Sequence, residues 1–416
     1  MPIRGIISIP GDKSISHRAL LISSLVSGEN HISNLSTALD VGNTLKSLND
    51  LGINSYTSKE GIIIKGNSFK YPTKPLDCGN SGTTLRLLSG LLGGLNIPAK
   101  LIGDESLSSR PMRRIIDPLA SMGINISCSN GFAPILINKS DKILDLNYKM
   151  NIPSAQVKSA LLLAGVCSNK KITINEKYQS RDHTEIMLKN IGHDIISQDN
   201  RILFSPSNKQ IENINIDIPG DISSASFFIG AACMIPNSDI RINNVLINDT
   251  RMGFIKALTK MGAGVILHNE RNINGEKVGD IQVYYKPLYG INIDKKDIPS
   301  IIDELPIIAI VATQAEGMTI ISGAEELRYK ESDRIKAIAS NLKKMGVKVI
   351  DKKDGLMIEG PSILNKADIE SYGDHRIAMS FIIAGISSGN YNQIDNIDCI
   401  NSSFPEFISL LNKIIK

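Results

Sequence analysis

Apolar positions along the chain recur in a unit of about seventy residues. Each unit holds a run with helical apolar spacing that closes on leucine, two variable residues, an apolar residue and glycine. The signature occurs five times, at Leu48–Gly52, Leu119–Gly123, Leu188–Gly192, Leu258–Gly262 and Leu342–Gly346. Successive glycines are 71, 69, 70 and 84 positions apart. Because a glycine directly after such a run is typical of a helix C-cap, each signature predicts the end of a helix.

Two short β-rich runs follow the signature. Asn54–Thr57 and Ile62–Lys65 form one such pair, and Val347–Ile350 and Leu356–Ile358 form another. Paired runs of this length, separated by turn residues, are typical of a β-hairpin. The pattern therefore predicts an α/β protein of repeated helix–hairpin units, with sheets packed around buried helices.

The ends and the middle of the chain fit the same repeat. A sixth unit would end in a helix over Phe404–Ile415 with no hairpin after it, and the strand-like Ile3–Ile9 is expected to supply the missing partner. The extra length of the fourth interval lies around Asn269–Asp297, which is rich in Asn, Lys, Asp and Gly and is expected to be an extended loop. Turn residues at Ile218–Asp221 separate three units from three and predict a hinge.

Composition narrows the class of protein. The chain has 416 residues, of which 42% are hydrophobic and 21% charged, as in soluble globular proteins of two or three domains. Its net charge of +4 is spread along the chain and indicates no nucleic-acid surface. Five scattered cysteines argue against a zinc site or a disulfide framework. With no signal peptide or membrane-length apolar run, the sequence predicts a cytoplasmic protein without a membrane or nucleic-acid partner.

Candidate chemistry begins at Pro10–Arg18, where a strand gives way to a helix. Lys13, Ser14 and Arg18 place an ammonium, a hydroxyl and a guanidinium at a helix start, where free N–H groups and the helix dipole attract anions. Ser14 and Arg18 are four apart and are expected on one helical face. No nucleotide-binding P-loop motif is present. The segment predicts an anion site, with a solvated basic helix start as the alternative.

Similar polar helix starts recur along the chain. They carry Asn80, Gly82, one of Arg110, Arg113 and Arg114, Ser154, Gln156 and Ser180 in the first half, and Lys330, Glu331, Arg334, His375 and Arg376 in the second. The alternatives are a plain N-cap at Asn80–Gly82 and solvated charged segments around the arginines and around Lys330. Lys330 and Arg334 are expected to share a helical face. Asp303, flanked by isoleucines, suits a general base if it is partly desolvated, and an N-cap for a helix beginning near Pro306 is the alternative. Together the set favours group transfer on substrates that carry phosphate and carboxylate.

Nine motifs in a fixed order cover essentially the whole chain. They are PGDKSISHR (10–18), GNSGTTLR (79–86), SRPM (109–112), SAQVK (154–158), SRDHTE (180–185), IIDELP (301–306), RYKESDR (328–334), GDHR (373–376) and SFPEF (403–407). This ordered set resembles the 5-enolpyruvylshikimate-3-phosphate (EPSP) synthase family. The resemblance implies a two-domain enolpyruvyl transferase fold, an inside-out α/β barrel with three βαβαββ repeats in each domain. The expected domains are residues 1–11 with 219–416, and residues 12–218, with the active site in the cleft between them.

The resemblance also implies the reaction. Members transfer the carboxyvinyl group of phosphoenolpyruvate to the 5-hydroxyl of shikimate 3-phosphate and release phosphate, in chorismate and aromatic amino acid biosynthesis. No metal or cofactor is implied, and a monomer is expected. Glyphosate is the implied inhibitor. SAQVK and RDHTE resemble the class II subgroup, whose members are often less sensitive to glyphosate, whereas Gly82 is a glycine as in sensitive forms.

Site residues follow from the resemblance, position by position. For shikimate 3-phosphate it implies Lys13, Ser14, Arg18, Ser154, Gln156, Ser180, Asp303 and Lys330. For phosphoenolpyruvate it implies Lys13, Asn80, Gly82, Arg110, Gln156, Arg334 and Arg376. Asp303 is expected to accept the proton of the 5-hydroxyl. Glu331 is expected to give a proton to the methylene carbon and to take one back in the elimination, assisted by Lys13 and His375.

The chain departs from the family at three positions. Ala155 stands where many relatives have a second serine, Ser402 where some have a lysine, and Glu326 where some have asparagine. The alternative function is that of UDP-N-acetylglucosamine enolpyruvyl transferase, which shares the fold but carries a cysteine in the loop before its Arg-Pro. The corresponding loop here, Gly103–Pro111, contains no cysteine. A non-catalytic α/β repeat scaffold is disfavoured, because a scaffold has no need of charged side chains at its helix starts.

Overall fold

The computed structural model describes residues 1–207 and 212–415 of the chain. The chain forms two units. Unit 1 contains Met1–Pro10, Pro219–Asn272 and the residues from Lys277 onwards, and unit 2 contains Gly11–Ile218 and Ile273–Glu276.

Helices and short runs of strands follow one another along both units. The helices are α1 (Lys13–Leu25), α2 (Leu39–Asp50), α3 (Gly82–Gly94), α4 (Glu105–Ser108), α5 (Arg113–Ser121), α6 (Ala155–Ser168), α7 (His183–Asn190), α8 (Ile222–Met234), α9 (Gly253–Lys260), α10 (Leu305–Ala312), α11 (Arg334–Lys344), α12 (His375–Ser388) and α13 (Phe407–Ile414). Short 3₁₀ helices lie at Ile298–Ser300, Glu325–Tyr329 and Asp398–Ser402. The strands are β1 (Arg4–Ser8), β2 (Gly28–Ser33), β3 (Asn54–Ser58), β4 (Gly61–Gly66), β5 (Leu76–Asp77), β6 (Ala99–Ile102), β7 (Ile126–Ser129), β8 (Phe132–Ile137), β9 (Leu146–Met150), β10 (Ile172–Glu176), β11 (Asp194–Gln198), β12 (Arg201–Ser205), β13 (Asn215–Asp217), β14 (Asp239–Leu246), β15 (Gly264–Ile273), β16 (Glu276–Tyr284), β17 (Asn292–Ile293), β18 (Gly317–Ile321), β19 (Val349–Lys352), β20 (Gly355–Gly360), β21 (Asp368–Ile369) and β22 (Gln393–Ile394).

The five repeated signatures end α2, α5, α7, α9 and α11. The signature glycines have φ between 84° and 93°, in the left-handed region that glycine adopts without strain. In all five, the N–H that follows the glycine bonds back to the carbonyl of the signature leucine. The first of these bonds, from Ile53 to Leu48, measures 3.0 Å. This is the glycine-dependent helix ending that the spacing predicts, so the prediction is confirmed.

The predicted hairpins are also present. Each signature is followed by an antiparallel pair, such as β3 with β4 or β19 with β20. In the described residues of unit 2 the strand orders are β13-β2-β4-β3, β5-β6-β8-β7 and β9-β10-β12-β11. In those of unit 1 they are β1-β14-β16-β15, β17-β18-β20-β19 and β21-β22. The N-terminal strand β1 therefore pairs with β14 and not with the sixth repeat, while Ile3 forms a bridge to Ile415.

One expectation was wrong. The segment after Asn269 is not an extended loop, because it continues a long hairpin of β15 and β16 and then leads to β17. The turn is Asn274–Gly275, whose φ values of 47° and 80° are both positive, as the tight turn of a two-residue hairpin requires. The polar composition of the strands concealed this Asn-Gly signal.

Small residues let the buried helices approach closely. On α3, a Cβ at Gly90 would lie 2.1 Å from the carbonyl oxygen of Ala160 on α6, and one at Gly94 would lie 2.6 Å from that of Ala164. In unit 1, a Cβ at Gly230 of α8 would lie 2.7 Å from the side chain of Ile307 on α10. No helix within residues 1–207 and 212–415 is both long and apolar enough to cross a membrane.

Candidate active site

The start of α1 carries an anchored cation. Asp12 caps the helix by accepting from the N–H of Ile15 at 2.8 Å. Lys13 follows it, and its Nζ donates to Oδ2 of Asp40 at 2.8 Å. Both side chains of this ion pair are partly exposed. The ammonium is therefore held at the helix start, where the unpaired N–H groups favour an anion.

Arg18 is buried and fixed by contacts within unit 2. Its Nε donates to Oγ1 of Thr184 at 2.8 Å, and its Nη2 donates to Oγ of Ser159 at 2.7 Å. Its Nη1 donates to the carbonyl of Ser14 at 2.7 Å, so these two residues share a helical face as predicted. Nη2 also lies 3.5 Å from the carbonyl of Ala155, the position where many relatives have serine.

Arg181 is one basic residue near the site that the sequence did not single out. Its Nη1 lies 3.4 Å from the hydroxyl of Ser14, which places a second guanidinium beside the start of α1. The signal was present in the sequence, since Arg181 directly follows Ser180 in the motif of residues 180–185. Ser180 itself is buried, and its hydroxyl donates to the carboxylate of Glu176. The nearby Lys158 donates to the carbonyl of Ser180 at 3.2 Å.

The starts of α3 and α6 meet through side chains. Ser154 caps α6 by accepting from the N–H of Val157. On the same turn, Nε2 of Gln156 donates to Oγ1 of Thr83 at 2.9 Å, and its Oε1 accepts from Nη1 of Arg86 at 2.6 Å. A Cβ at Gly82 would lie 2.9 Å from that same guanidinium. Gly82 therefore leaves room for Arg86, a residue that the sequence analysis did not assign to the site.

Asn80 and Arg110 form the neighbouring part of the site. Arg110 is buried, and its Nη2 donates to Oδ1 of Asn80. The amide nitrogen of Asn80 donates to Oδ2 of Asp104 at 2.8 Å, which fixes which way the amide faces. The guanidinium of Arg110 is also 3.4 Å from the position that a Cβ on Gly82 would take. Asn80, Gly82 and Arg110 thus lie together at the start of α3.

Asp303 of unit 1 lies among cations. Its Oδ1 is 3.4 Å from Nζ of Lys330 and 3.5 Å from Nη1 of Arg334. Nη1 of Arg376 donates to the backbone carbonyl of Asp303 at 2.8 Å. The N-cap residue of α10 is Glu304, so the N-cap alternative for Asp303 is wrong. The flanking isoleucines predicted apolar surroundings, whereas in the structure two cations lie beside the carboxylate.

Arg334 lies at the centre of this cluster. It is buried, and its Nε and Nη2 donate to the two carboxylate oxygens of Asp374 at 2.7 and 3.2 Å. Nη2 also donates to Glu331. Burial alone would lower the pKa of Arg334, but the carboxylates of Asp374, Glu331 and Asp303 outweigh it and raise the pKa. Lys330 follows a 3₁₀ helix and Arg334 begins α11, so the expected shared helical face is wrong, although both residues reach Asp303.

His375 begins α12 beside this cluster. Asp374 caps the helix by accepting from the N–H of Arg376 at 2.9 Å, and the same carboxylate holds Arg334. His375 is buried, with Nδ1 3.3 Å from the hydroxyl of Ser402. Some relatives carry lysine at the position of Ser402. In this chain a serine hydroxyl contacts the imidazole instead.

The two sets of residues differ in character. In unit 2 the site residues are cations, amides and hydroxyls at helix starts. In unit 1 the carboxylates Asp303 and Glu331 alternate with Lys330, Arg334 and Arg376, an arrangement that can move protons beside an anionic ligand. Across residues 1–207 and 212–415, no three His, Cys, Asp or Glu side chains come together as a metal site.

Comparison with known proteins identifies the family. The protein-family model for EPSP synthase (3-phosphoshikimate 1-carboxyvinyltransferase) matches residues 1–411 of this chain. The chain belongs to the EPSP synthase family. Two similar relatives named 3-phosphoshikimate 1-carboxyvinyltransferase come from Thermodesulfovibrio yellowstonii and Petrotoga mobilis. The first is 47% identical across 100% of this chain and 98% of the relative, and the second is 47% identical across 98% and 96%.

Solved structures agree with this assignment. EPSP synthase from Acinetobacter baumannii is 38% identical over 99% of this chain and 96% of that chain, with a TM-score of 0.87. An enolpyruvyl transferase from Streptomyces tendae shares the fold at 15% identity, with a TM-score of 0.80 over 99% of this chain and 95% of that chain. The predicted enolpyruvyl transferase fold and enzyme class are therefore confirmed. The family match favours EPSP synthase over the alternative transferase for UDP-N-acetylglucosamine.

Proposed function

We propose that this EPSP synthase family member transfers the carboxyvinyl group of phosphoenolpyruvate to the 5-hydroxyl of shikimate 3-phosphate and releases phosphate. The observation that carries the proposal is the environment of Asp303. Its carboxylate lies 3.4 Å from Lys330 and 3.5 Å from Arg334, and Arg376 donates to its backbone carbonyl. A proton acceptor surrounded by cations suits a reaction in which a hydroxyl attacks an anionic substrate.

Unit 2 is proposed to supply most of the binding groups. Shikimate 3-phosphate is assigned to Lys13, Ser14, Arg18, Ser154, Gln156 and Ser180, with Asp303 and Lys330 from unit 1. The position of Arg181 beside the hydroxyl of Ser14 supports adding this arginine to the phosphate contacts. The internal bonds of Arg18 and Ser180 favour a supporting role for these two, because their polar atoms already hold neighbouring residues.

Phosphoenolpyruvate is assigned to Lys13, Asn80, Gly82, Arg110, Gln156, Arg334 and Arg376. The Asn80–Arg110 bond and the room at Gly82 support this assignment on the side of unit 2. Guanidinium groups match the paired oxygens of carboxylate and phosphate, which is the geometry that this substrate offers.

The proposed reaction consists of an addition step and an elimination step. In the first, the 5-oxygen bonds to C2 of phosphoenolpyruvate, Asp303 takes the hydroxyl proton, and Glu331 gives a proton to C3, which yields a tetrahedral ketal. In the second, the bond from C2 to the phosphate oxygen breaks, Glu331 takes a proton back from C3, and phosphate leaves with the proton that Asp303 had accepted. Lys13 and His375 are proposed to assist these transfers, and the arginines to stabilise the charge on the ketal.

The compartment, the oligomeric state and an inhibitor are also proposed. We place the protein in the cytoplasm as a monomer, and we propose glyphosate as an inhibitor that competes for the phosphoenolpyruvate groups. The scattered cysteines support a reducing compartment.

Phosphate release tests the proposal. Purified protein is given phosphoenolpyruvate with shikimate 3-phosphate or with UDP-N-acetylglucosamine, and we expect turnover with the first acceptor alone. Asp303→Asn should lower kcat by about 10²–10⁴-fold while calorimetry still detects shikimate 3-phosphate binding. Asp249→Asn, at an exposed aspartate of the same unit, is the control. Absence of turnover with shikimate 3-phosphate would reject the function, and full activity of Asp303→Asn would reject the base.

A further inference from the structure

His17 is a buried imidazole of α1 that the proposed mechanism does not use. It follows Lys13 by one helical turn and is fully buried. Its Nδ1 lies 2.7 Å from Oγ1 of Thr44 on α2. A buried imidazole with a short polar contact at its Nδ1 needs an explanation.

The contact continues as a chain of hydroxyl groups. Oγ1 of Thr44 lies 2.7 Å from Oγ1 of Thr84 on α3, which in turn lies 2.7 Å from Oγ of Ser81. All three hydroxyl residues are buried. The chain therefore connects α1, α2 and the start of α3 through successive hydrogen bonds, away from water that could replace a missing link.

The far end of the chain reaches the proposed phosphoenolpyruvate groups. Oγ of Ser81 caps α3 by accepting from the N–H of Thr84 at 3.1 Å, and Gly82 follows Ser81 directly in the sequence. Oγ1 of Thr84 is also 3.3 Å from the backbone carbonyl of Asp40. The carboxylate of Asp40 in turn holds Nζ of Lys13. One hydroxyl thus touches both the turn before Gly82 and the residue that anchors Lys13.

The imidazole is suited to end this chain in its neutral form. Burial, together with the charges of Lys13 and Arg18, lowers the pKa of His17 well below its ordinary value, against the opposing charge of Asp12. A neutral imidazole offers one nitrogen as donor and one as acceptor. Thr84 donates its hydroxyl proton to Ser81, so Thr44 donates to Thr84 and can accept from the Nδ1–H of a neutral His17.

We propose that His17 is a positioning residue for the proposed carboxyvinyl transfer. It anchors the chain Thr44–Thr84–Ser81, and the chain fixes the starts of α1, α2 and α3 relative to one another. Lys13 and the turn at Asn80–Gly82 then keep the spacing that phosphoenolpyruvate requires. The inference rests on the proposed function, because its readout is the kinetics of that reaction.

Two substitutions at His17 separate a hydrogen-bonding role from packing. His17→Asn places a polar amide atom near the position of Nδ1, whereas His17→Leu fills the space without a hydrogen bond. We expect His17→Leu to raise the KM for phosphoenolpyruvate about tenfold, and His17→Asn to restore it to within about threefold of wild type. Thr84→Val should resemble His17→Leu. Leu21→Ala, which removes buried packing from the same helix, should lower the melting temperature and leave KM unchanged.

A double variant tests whether the chain acts as a unit. Once one link is broken, breaking a second should cost little, so His17→Leu/Thr84→Val should raise KM about as much as either single change. Fold-changes that multiply would overturn the inference. So would equal kinetics for His17→Leu and His17→Asn, or a loss of melting temperature with no change in KM. If His17→Leu does not fold, the KM values of Thr84→Val and His17→Asn test the inference: it requires a raised KM in the first and a nearly normal KM in the second. Absence of turnover by the wild type would instead reject the proposed function.

Discussion

Lys158 is the cation of a buried ion cluster, and replacing it tests how this cluster supports unit 2. Its Nζ lies 2.7 Å from Oε1 of Glu185 and 3.1 Å from Oε2 of Glu176, and its side chain is 1% exposed. Burial opposes its charge, but the two carboxylates outweigh burial and raise the pKa of Lys158. Lys158→Met approximates the length of the side chain and removes the charge, which leaves two buried carboxylates without their shared cation.

The expected loss of stability is large. Removing one partner of a buried ion pair costs about 3–5 kcal/mol, because the remaining charge is left without compensation. For a unit of this size, such a loss lowers the melting temperature by roughly 10 °C. The chain contains no tryptophan, so far-UV circular dichroism during heating is the natural assay.

The pH dependence gives the sharper test. Burial raises the pKa of Glu185 even beside Lys158, and removing the cation should raise it further. A carboxyl whose pKa is higher in the folded than in the unfolded state binds a proton on folding, so its presence favours folding at low pH and less so as pH rises through the folded pKa. The deficit of Lys158→Met should therefore shrink between neutral pH and about pH 5.

A matched variant completes this test. Lys158→Met/Glu185→Gln removes one of the two uncompensated charges and should recover a substantial part of the lost stability near neutral pH. A deficit that is the same at both pH values, together with no recovery in the double variant, would refute the reasoning. That result would mean that packing, and not buried charge, accounts for the loss.

Three further outcomes follow from the structure. Gly82→Ala forces the guanidinium of Arg86 to move, so steady-state assays should show a KM for phosphoenolpyruvate raised about tenfold in a stable protein, and an unchanged KM would contradict this. Arg334→Lys cannot keep the two-oxygen contact with Asp374, so kcat/KM should fall about 10²-fold, and near-normal kinetics would count against it. Burial alone would raise the pKa of Asp280, but the hydrogen bonds that its carboxylate accepts lower this pKa to about 2. Thermal denaturation of Asp280→Asn should therefore show a loss of about 1 kcal/mol in the free energy of unfolding near neutral pH, and this loss should fade between about pH 4 and pH 2. A loss that persists below about pH 2 would rule out this cause.

The repeat was visible in the sequence because its signals are local. The bond from Ile53 back to Leu48 requires a glycine between them, and the same requirement recurs at each signature. The turn at Asn274–Gly275 was equally local, yet the polar strands around it led to the wrong expectation of a loop. Hairpin strands with one exposed face need few apolar residues, so composition alone is a poor guide to them.

The site residues could be named from the ordered motifs, but their contacts could not. Asp303 meets Lys330 and Arg334 across 27 and 31 positions of sequence, and no local pattern specifies that distance. Arg181 lies in the motif of residues 180–185, but the motif does not specify that its guanidinium lies beside the hydroxyl of Ser14. Such contacts depend on how the buried helices pack against one another. The periodicity of the sequence predicts the class of fold but not this packing.

The two Pro-Gly-Asp segments show why the repeat alone could not predict the chemistry. Asp12 and Asp221 both cap a buried helix, by accepting from the N–H of Ile15 and of Ser223. The cap is followed by Lys13 in unit 2, whereas in unit 1 the carboxylate of Asp221 is instead paired with the buried Arg251. The same local solution to an unpaired helix start therefore serves a candidate anion site in one unit and an internal ion pair in the other. The repeated residues determine the fold, and the residues that differ between the repeats determine where a substrate can bind.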